Sequence, residues 1–134
     1  MMVRPSTAPV PPLVLIVDDN ERNRRLAGEV LRAAGLATID AASGRESIAL
    51  AVARQPDVIL LDLRLPDIDG TEVASRLRSD ARTSGIPIVA LSALRHAGES
   101  GSLQAAGFAG YLEKPIDVRA FPEQVRSYCR LAGA

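Results

Sequence analysis

The 134-residue chain has no tryptophan, two phenylalanines and two tyrosines. With so few aromatics, its core has to be built from Leu, Ile, Val and Ala. Cys129 is the only cysteine, which excludes a disulfide framework or a cysteine-rich metal site and fits a reducing cytoplasm. Neither sign of charge is in excess: 16 basic and 16 acidic residues leave no footprint for nucleic acid or an anionic membrane. No apolar run approaches the roughly 20 residues of a membrane span. Pro5, Pro9, Pro11 and Pro12 interrupt the N-terminus before a signal peptide could form. Lysine is nearly absent too. Lys114 is the only one among the 16 basic residues, so its position matters.

What is present is 47% apolar residues, enough for one domain with one core. Residues 1–12 are Pro-rich and aperiodic and read as a flexible tail. From residue 13 onward, strand-like and helix-like segments alternate. Leu13–Val17 is a continuous apolar run, as in a strand covered on both faces. Asn20 can cap a helix over 21–34, with Leu26, Ala27, Val30, Leu31 and Ala34 as its buried stripe. Arg22, Arg25, Glu29 and Arg32 fall on the other side, where the arginines read as a solvated face or, alternatively, a docking surface, and Gly35 ends the helix. Leu36–Ala41 reads as a short strand. Ser43 to Glu46 forms a capping box that opens a helix to Arg54, and Pro56 ends the pattern.

Val58–Leu61 is a further apolar strand, ending on Asp62. After Pro66 and Gly70 comes a helix over 71–79, then an apolar strand at Ile86–Leu91 that ends on Ser92. Gly98 and Gly101 weaken a helix expected at 97–106. Gly110–Leu112 is the last strand. Asp117–Leu131 is helical after a turn at 117–120, with Pro122 in the first turn, where its missing N–H costs nothing. Repeated strand–helix alternation implies an α/β fold, a parallel sheet with helices on both faces and right-handed crossovers.

Ligands of such sheets bind at the carboxyl ends of the strands. Here those ends carry Asp18 and Asp19, then Asp62, Ser92 and Lys114. Adjacent carboxylates repel unless a cation joins them. Hard carboxylate oxygens suit Mg²⁺, which binds through one or two carboxylates plus a phosphate. A carboxylate can also attack a phosphoryl group, whose transfer needs positioning and charge neutralisation above all. Each residue has an ordinary reading: a solvated strand end, a turn residue, a loop hydroxyl, a surface charge. All five falling at one sheet edge favours a site. His96 reads as a surface residue and Cys129 as part of the core.

With these residues in view, the chain resembles the receiver domain of two-component response regulators, the CheY-like superfamily. The resemblance rests on "VDDN" at 17–20, "LLDLRLPDIDG" at 60–70, "ALSA" at 90–93 and "GYLEKPI" at 110–116. It spans residues 13–131, leaving 132–134 as a C-terminal end. It is nearest the stand-alone, DivK-type regulators, through "LSAL" and "AAGFAGYLEKPIDVRAFPEQV".

The resemblance implies a flavodoxin-like doubly wound (βα)5 fold with strand order 2-1-3-4-5. It implies that Asp62 accepts a phosphoryl group from the phosphohistidine of a sensor histidine kinase or histidine phosphotransfer protein. It implies Mg²⁺ held by Asp19, Asp62 and the main-chain oxygen of Arg64, with Asp18 acting through water. Lys114 would contact the phosphoryl group, with a cis bond to Pro115. The main chain of Arg64 and Ala93 would line the phosphoryl group, and Ser92 and Tyr111 would form the switch. Arg64 and Leu94, two residues after Asp62 and Ser92, stand where family members vary.

The expected protein is a cytoplasmic, single-domain signalling switch. It would catalyse only its own phosphorylation and dephosphorylation and pass its signal to a downstream protein. An aspartyl-nucleophile phosphohydrolase is the alternative. It would want a second carboxylate two residues after the nucleophile, where this chain has Arg64 after Asp62 and Asn20 after Asp18. An FMN carrier would want a phosphate-cradling first loop, which Asp18 and Asp19 would repel.

Overall fold

A computed structural model describes residues 10–92, 104–114 and 116–129. Most of the helix expected at 97–106 lies outside them, as do Ala93, Leu94, His96, Pro115, residues 1–9 of the expected tail and the C-terminal end at 132–134. The described elements are β1 (Leu13–Val17), α1 (Glu21–Ala33), β2 (Ala37–Ala41), α2 (Gly44–Arg54), β3 (Val58–Asp62), α3 (Gly70–Ser79), β4 (Ile88–Ser92), β5 (Gly110–Glu113) and α4 (Phe121–Tyr128). All strand pairs are parallel, in the order β2-β1-β3-β4-β5. This is the flavodoxin-like topology implied above.

The strands divide their side chains between two layers, as a period of two requires. Leu15, Val17, Ile59, Leu61, Ile88 and Ala90 pack with Ala51 of α2 and with Val73 and Leu77 of α3. Val14, Ile16, Leu60, Val89 and Leu91 pack on the other face with Ala27 and Leu31 of α1 and with Phe121 and Val125 of α4. Most of these side chains are wholly buried. Each such Leu or Ile contributes about 1.5–3 kcal/mol relative to exposure. Cys129 joins the second layer, where burial, then the nearby Asp57, pushes its thiol pKa up and keeps it unreactive.

Helix ends follow the sequence with two adjustments. The Asn20 side chain caps α1 by accepting from the Asn23 N–H, and Gly35 closes the helix at φ +92°, a left-handed angle that favours glycine. Leu26, expected in the buried stripe of α1, is 43% exposed; burial on this helix falls on Ala27, Gly28 and Leu31. The Ser43 hydroxyl accepts from the Glu46 N–H, but Glu46 returns its bond to the N–H of Ala42, one residue earlier than a standard capping box. Pro122 lies in the first turn of α4, as expected. The fourth strand starts at Ile88, because Pro87 lacks the N–H that would extend its ladder.

The loop after β3 is tied down by Asp67. Its two carboxylate oxygens accept from the N–H groups of Gly44 (2.9 Å) and Arg45 (3.0 Å) at the start of α2. These bonds, Arg45's first, hold its pKa at about 2 against an ordinary 3.8. A depressed carboxylate pKa contributes stability above its unfolded value and loses it as pH falls through the folded one. Asp67→Asn should therefore lower the melting temperature at neutral pH and flatten its fall between about pH 3.8 and about 2. Some acid dependence should remain, since Asp80, held by Arg82, has a similarly low value. Thermal unfolding followed across pH measures both effects.

Candidate phospho-acceptor and metal site

The strand order reverses at β1, flanked by β2 and β3. Because α1 and α3 leave β1 and β3 toward opposite layers, the ends of these two strands border a crevice. Asp18 and Asp62 stand at that border. Gly70 lets α3 start close against the end of β3. A Cβ there would lie 2.7 Å from Leu63 Cα and 2.9 Å from the Asp62 carbonyl oxygen, so no larger residue fits.

Asp18 is 2% exposed and fully engaged. Its Oδ1 accepts from the Asn20 N–H at 2.9 Å. Its Oδ2 accepts from Asn23 Nδ2 at 3.3 Å and lies 3.1 Å from Lys114 Nζ. Asp62 is 7% exposed. Its Oδ1 accepts from the Arg64 N–H and its Oδ2 from Lys114 Nζ, both at 3.0 Å. Lys114 is held in turn by its main-chain N–H, which donates to the Ser92 carbonyl at 2.8 Å. The only lysine of the chain thus bridges two buried carboxylates that lie 44 residues apart in sequence.

Asp19 is exposed beside them. Asp18, Asp19 and Asp62 each offer one carboxylate oxygen within 4.8 Å of the others. Burial raises the Asp62 pKa, against the opposing pull of the Arg64 N–H and Lys114. Burial pulls Lys114 down, but its bonds to Asp62 and Asp18 outweigh this and raise its pKa. Three carboxylates face one ammonium, a shortfall of two positive charges. The oxygen donors are hard and the deficit is that of a divalent cation, so the residues fit Mg²⁺.

Of the other expected site residues, Ala93 lies outside the described ones. Ser92 ends β4 and is 8% exposed. Arg64 is exposed, with its main chain against Asp62. Tyr111 lies in β5, 36% exposed. Asn23 and Arg24 of α1 escaped the sequence reading: they bond the Oδ2 and the main-chain oxygen of Asp18. Neither carries a signature in the sequence that marks this partner.

The site is thus an aspartate at the switch point of a doubly wound α/β sheet, beside further carboxylates and a lysine. Residues 14–126 match the response regulator receiver domain family, and the chain belongs to it. The polar-differentiation response regulator DivK of Brucella ovis is 38% identical over 115 residues, 86% of this chain and 94% of that protein. DivK of Brucella anthropi is 37% identical over 119 residues, covering 89% and 97%. Among solved structures, the chemotaxis response regulator CheY4 of Vibrio cholerae superposes with a TM-score of 0.83 at 28% identity, covering 88% of this chain and 98% of that one. The receiver domain of the Pseudomonas aeruginosa sensor histidine kinase PA1611 gives a TM-score of 0.79 at 28% identity, covering 88% and 97%; that structure has a magnesium ion coordinated in the active site cleft. The chain is a DivK-like response regulator of phosphorylation-based signalling, not a metabolic enzyme. The phosphohydrolase alternative is not favoured. No helix among the described residues is long and apolar enough to cross a membrane.

Proposed function

We propose that Asp62 is the phospho-acceptor of a Mg²⁺-dependent cytoplasmic switch, served by a sensor histidine kinase or a histidine phosphotransfer protein. The observation that carries this reading is the convergence of Asp18, Asp19 and Asp62 on one point, with Lys114 bridging two of them. Asp19, Asp62 and the main-chain oxygen of Arg64 would hold the metal, with Asp18 acting through water. When bound, Mg²⁺ supplies positive charge to offset the carboxylates and the oxygens of the arriving phosphoryl group.

An Asp62 carboxylate oxygen attacks phosphorus while the bond to the donor imidazole nitrogen breaks, and the imidazole keeps the electron pair. Lys114 Nζ lies 3.0 Å from Asp62 Oδ2, close enough to pair with an oxygen of the transferred group. Asp18 keeps that ammonium aimed at the site. The Ser92 hydroxyl donates to another phosphoryl oxygen, and the Ala93 N–H contributes as well. Return to the resting state is attack by water on phosphorus, which restores the Asp62 carboxylate. The test is transfer of labelled phosphate from phosphohistidine donors. Mg²⁺-dependent labelling by at least one donor is expected, and label that stays on every donor contradicts the reading.

The bound phosphoryl group would draw the Ser92 hydroxyl inward and let the half-exposed Tyr111 ring turn after it, changing the surface offered to a downstream protein. Such a switch works only if its two forms differ in contacts. Binding of the phosphoryl mimic beryllofluoride should shift the NMR signals of Tyr111 and its β5 neighbours. Shifts confined to residues 18–20 and 62–70 would mean that no switch operates here.

Arg64 is placed to govern how long the signal lasts. Its side chain is exposed, with its main chain fixed against the acceptor. A screened guanidinium exerts little field at such an edge, but its bulk obstructs in-line attack by water. Arg64→Ala should therefore shorten the lifetime of phosphorylated Asp62 by about tenfold, or about 1.4 kcal/mol of barrier. Loss of phosphate from purified phosphoprotein measures this directly.

A further inference from the structure

The turn that carries Asp18 and Asp19 is held from outside by a residue with no place in the chemistry above. Arg24, in α1, has a side chain only 16% exposed. Its Nη1 donates to the main-chain oxygen of Asp18 at 2.7 Å, and its Nε donates to Asp40 Oδ2, in β2, at 2.8 Å. The guanidinium fork thus spans α1, β2 and the metal-binding turn in one contact. Its neighbours on α1 differ. Arg25 pairs with Glu21 on the surface, and Arg32 reaches Thr38 Oγ1 without touching the turn.

The atom that Arg24 holds is what makes this contact matter. The Asp18 carbonyl belongs to the peptide joining Asp18 to Asp19. Rotation of that peptide swings Asp19 relative to Asp18. The Asp18 N–H is already fixed to the Ala41 carbonyl at 3.1 Å, and its carboxylate is fixed by Asn20, Asn23 and Lys114. The carbonyl is the remaining polar group of this residue, and Arg24 fixes it. Asp40 in turn sets the direction of the fork and balances its charge, so the guanidinium does not compete with a cation in the site.

We propose that Arg24, oriented by Asp40, is a positioning residue for Mg²⁺: it sets the angle between Asp18 and Asp19 through the carbonyl between them. The inference rests on the metal reading given above. A lysine cannot replace it, because a single ammonium lacks the fixed fork that reaches both acceptors. Residues that orient metal ligands from behind typically change metal affinity by about 10- to 100-fold when lost.

The test is Mg²⁺ titration of the unphosphorylated protein by NMR, with hydrogen exchange at the Asn20 amide measured without metal. Arg24→Ala and Arg24→Lys should each weaken Mg²⁺ by about tenfold or more and speed Asn20 exchange. Asp40→Asn should give a smaller loss in the same direction and serves if an Arg24 variant fails to fold. Arg32→Ala, which cuts a comparable tie between α1 and β2, should change neither readout. Equal weakening by Arg32→Ala would reduce Arg24 to general anchoring of the helix and overturn the proposal. So would unchanged or tighter Mg²⁺ binding in Arg24→Ala, the latter showing that its charge dominates. If the wild-type protein itself binds no Mg²⁺, the metal reading fails and takes this proposal with it. Binding in the wild type that survives loss of Arg24 overturns the positioning role alone.

Discussion

Replacing Lys114 with methionine is expected to destabilise the metal-free protein by about 1–3 kcal/mol and to slow phosphorylation of Asp62 severely. The substitution keeps most of the apolar stem and removes the one ammonium between two nearly buried carboxylates. Breaking a fully buried pair costs more than this, but the Lys114 side chain is 20% exposed, so water recovers part of the loss. The effect depends on pH in a defined way. The Lys114 pKa is raised above its ordinary 10.5. Its contribution is therefore complete below that value and fades as pH rises through the folded one. The variant should differ most from wild type near neutrality and converge with it in strong alkali. Saturating Mg²⁺ should narrow the gap, since a divalent cation offsets the same carboxylates. Chemical denaturation with and without Mg²⁺ separates these contributions. A variant as stable as wild type in metal-free buffer would mean that the bridge carries no energy.

Asp62→Asn should abolish phosphorylation and yet stabilise the metal-free fold. An amide is no nucleophile at phosphorus, so no acyl phosphate can form. The stability change runs the other way because burial raises the Asp62 pKa despite the Arg64 N–H and Lys114. A carboxyl with a raised pKa favours the fold when protonated and loses that advantage as pH rises through its folded value. At neutral pH the charge therefore counts against folding. Its removal leaves Lys114 paired with Asp18 alone and should add about 1 kcal/mol or more. The gain should vanish below the ordinary carboxylate pKa of 3.8, where wild-type Asp62 is protonated as well. A variant that is both inactive and less stable would show that Asp62 is there for packing and hydrogen bonding. The opposite signs at Lys114 and Asp62 express one fact: the site holds more negative charge than the chain itself can balance.

The three central strands were legible because each is an apolar run up to its carboxyl end. Val58, Ile59, Leu60 and Leu61 can be buried only between two layers, and they are. The convergence of Asp18, Asp62 and Lys114 followed from topology, since parallel strands bring their carboxyl ends to one edge. Contacts made by side chains across elements were not legible. Arg24 meets Asp40 16 residues away, and Asp67 caps a helix that starts 23 residues before it. Nothing near either residue in sequence marks the partner. Leu26 was misplaced for a related reason. An apolar stripe fixes the face of a helix, but where its edge meets neighbouring elements is decided by packing. Leu26 lies at that edge, lining a groove with Ile116, Lys114 and Phe121.

The most direct measurement is to locate the phosphate. The wild-type protein is incubated with acetyl phosphate in Mg²⁺ or in EDTA. The acyl phosphate is then reduced with borohydride, and the peptides are read by mass spectrometry. A single modified residue, Asp62, in the Mg²⁺ sample and none in the EDTA sample is the expected result. Modification of Asp18 or Asp19 instead, or equal modification of Asp62 without the metal, would contradict the assignment.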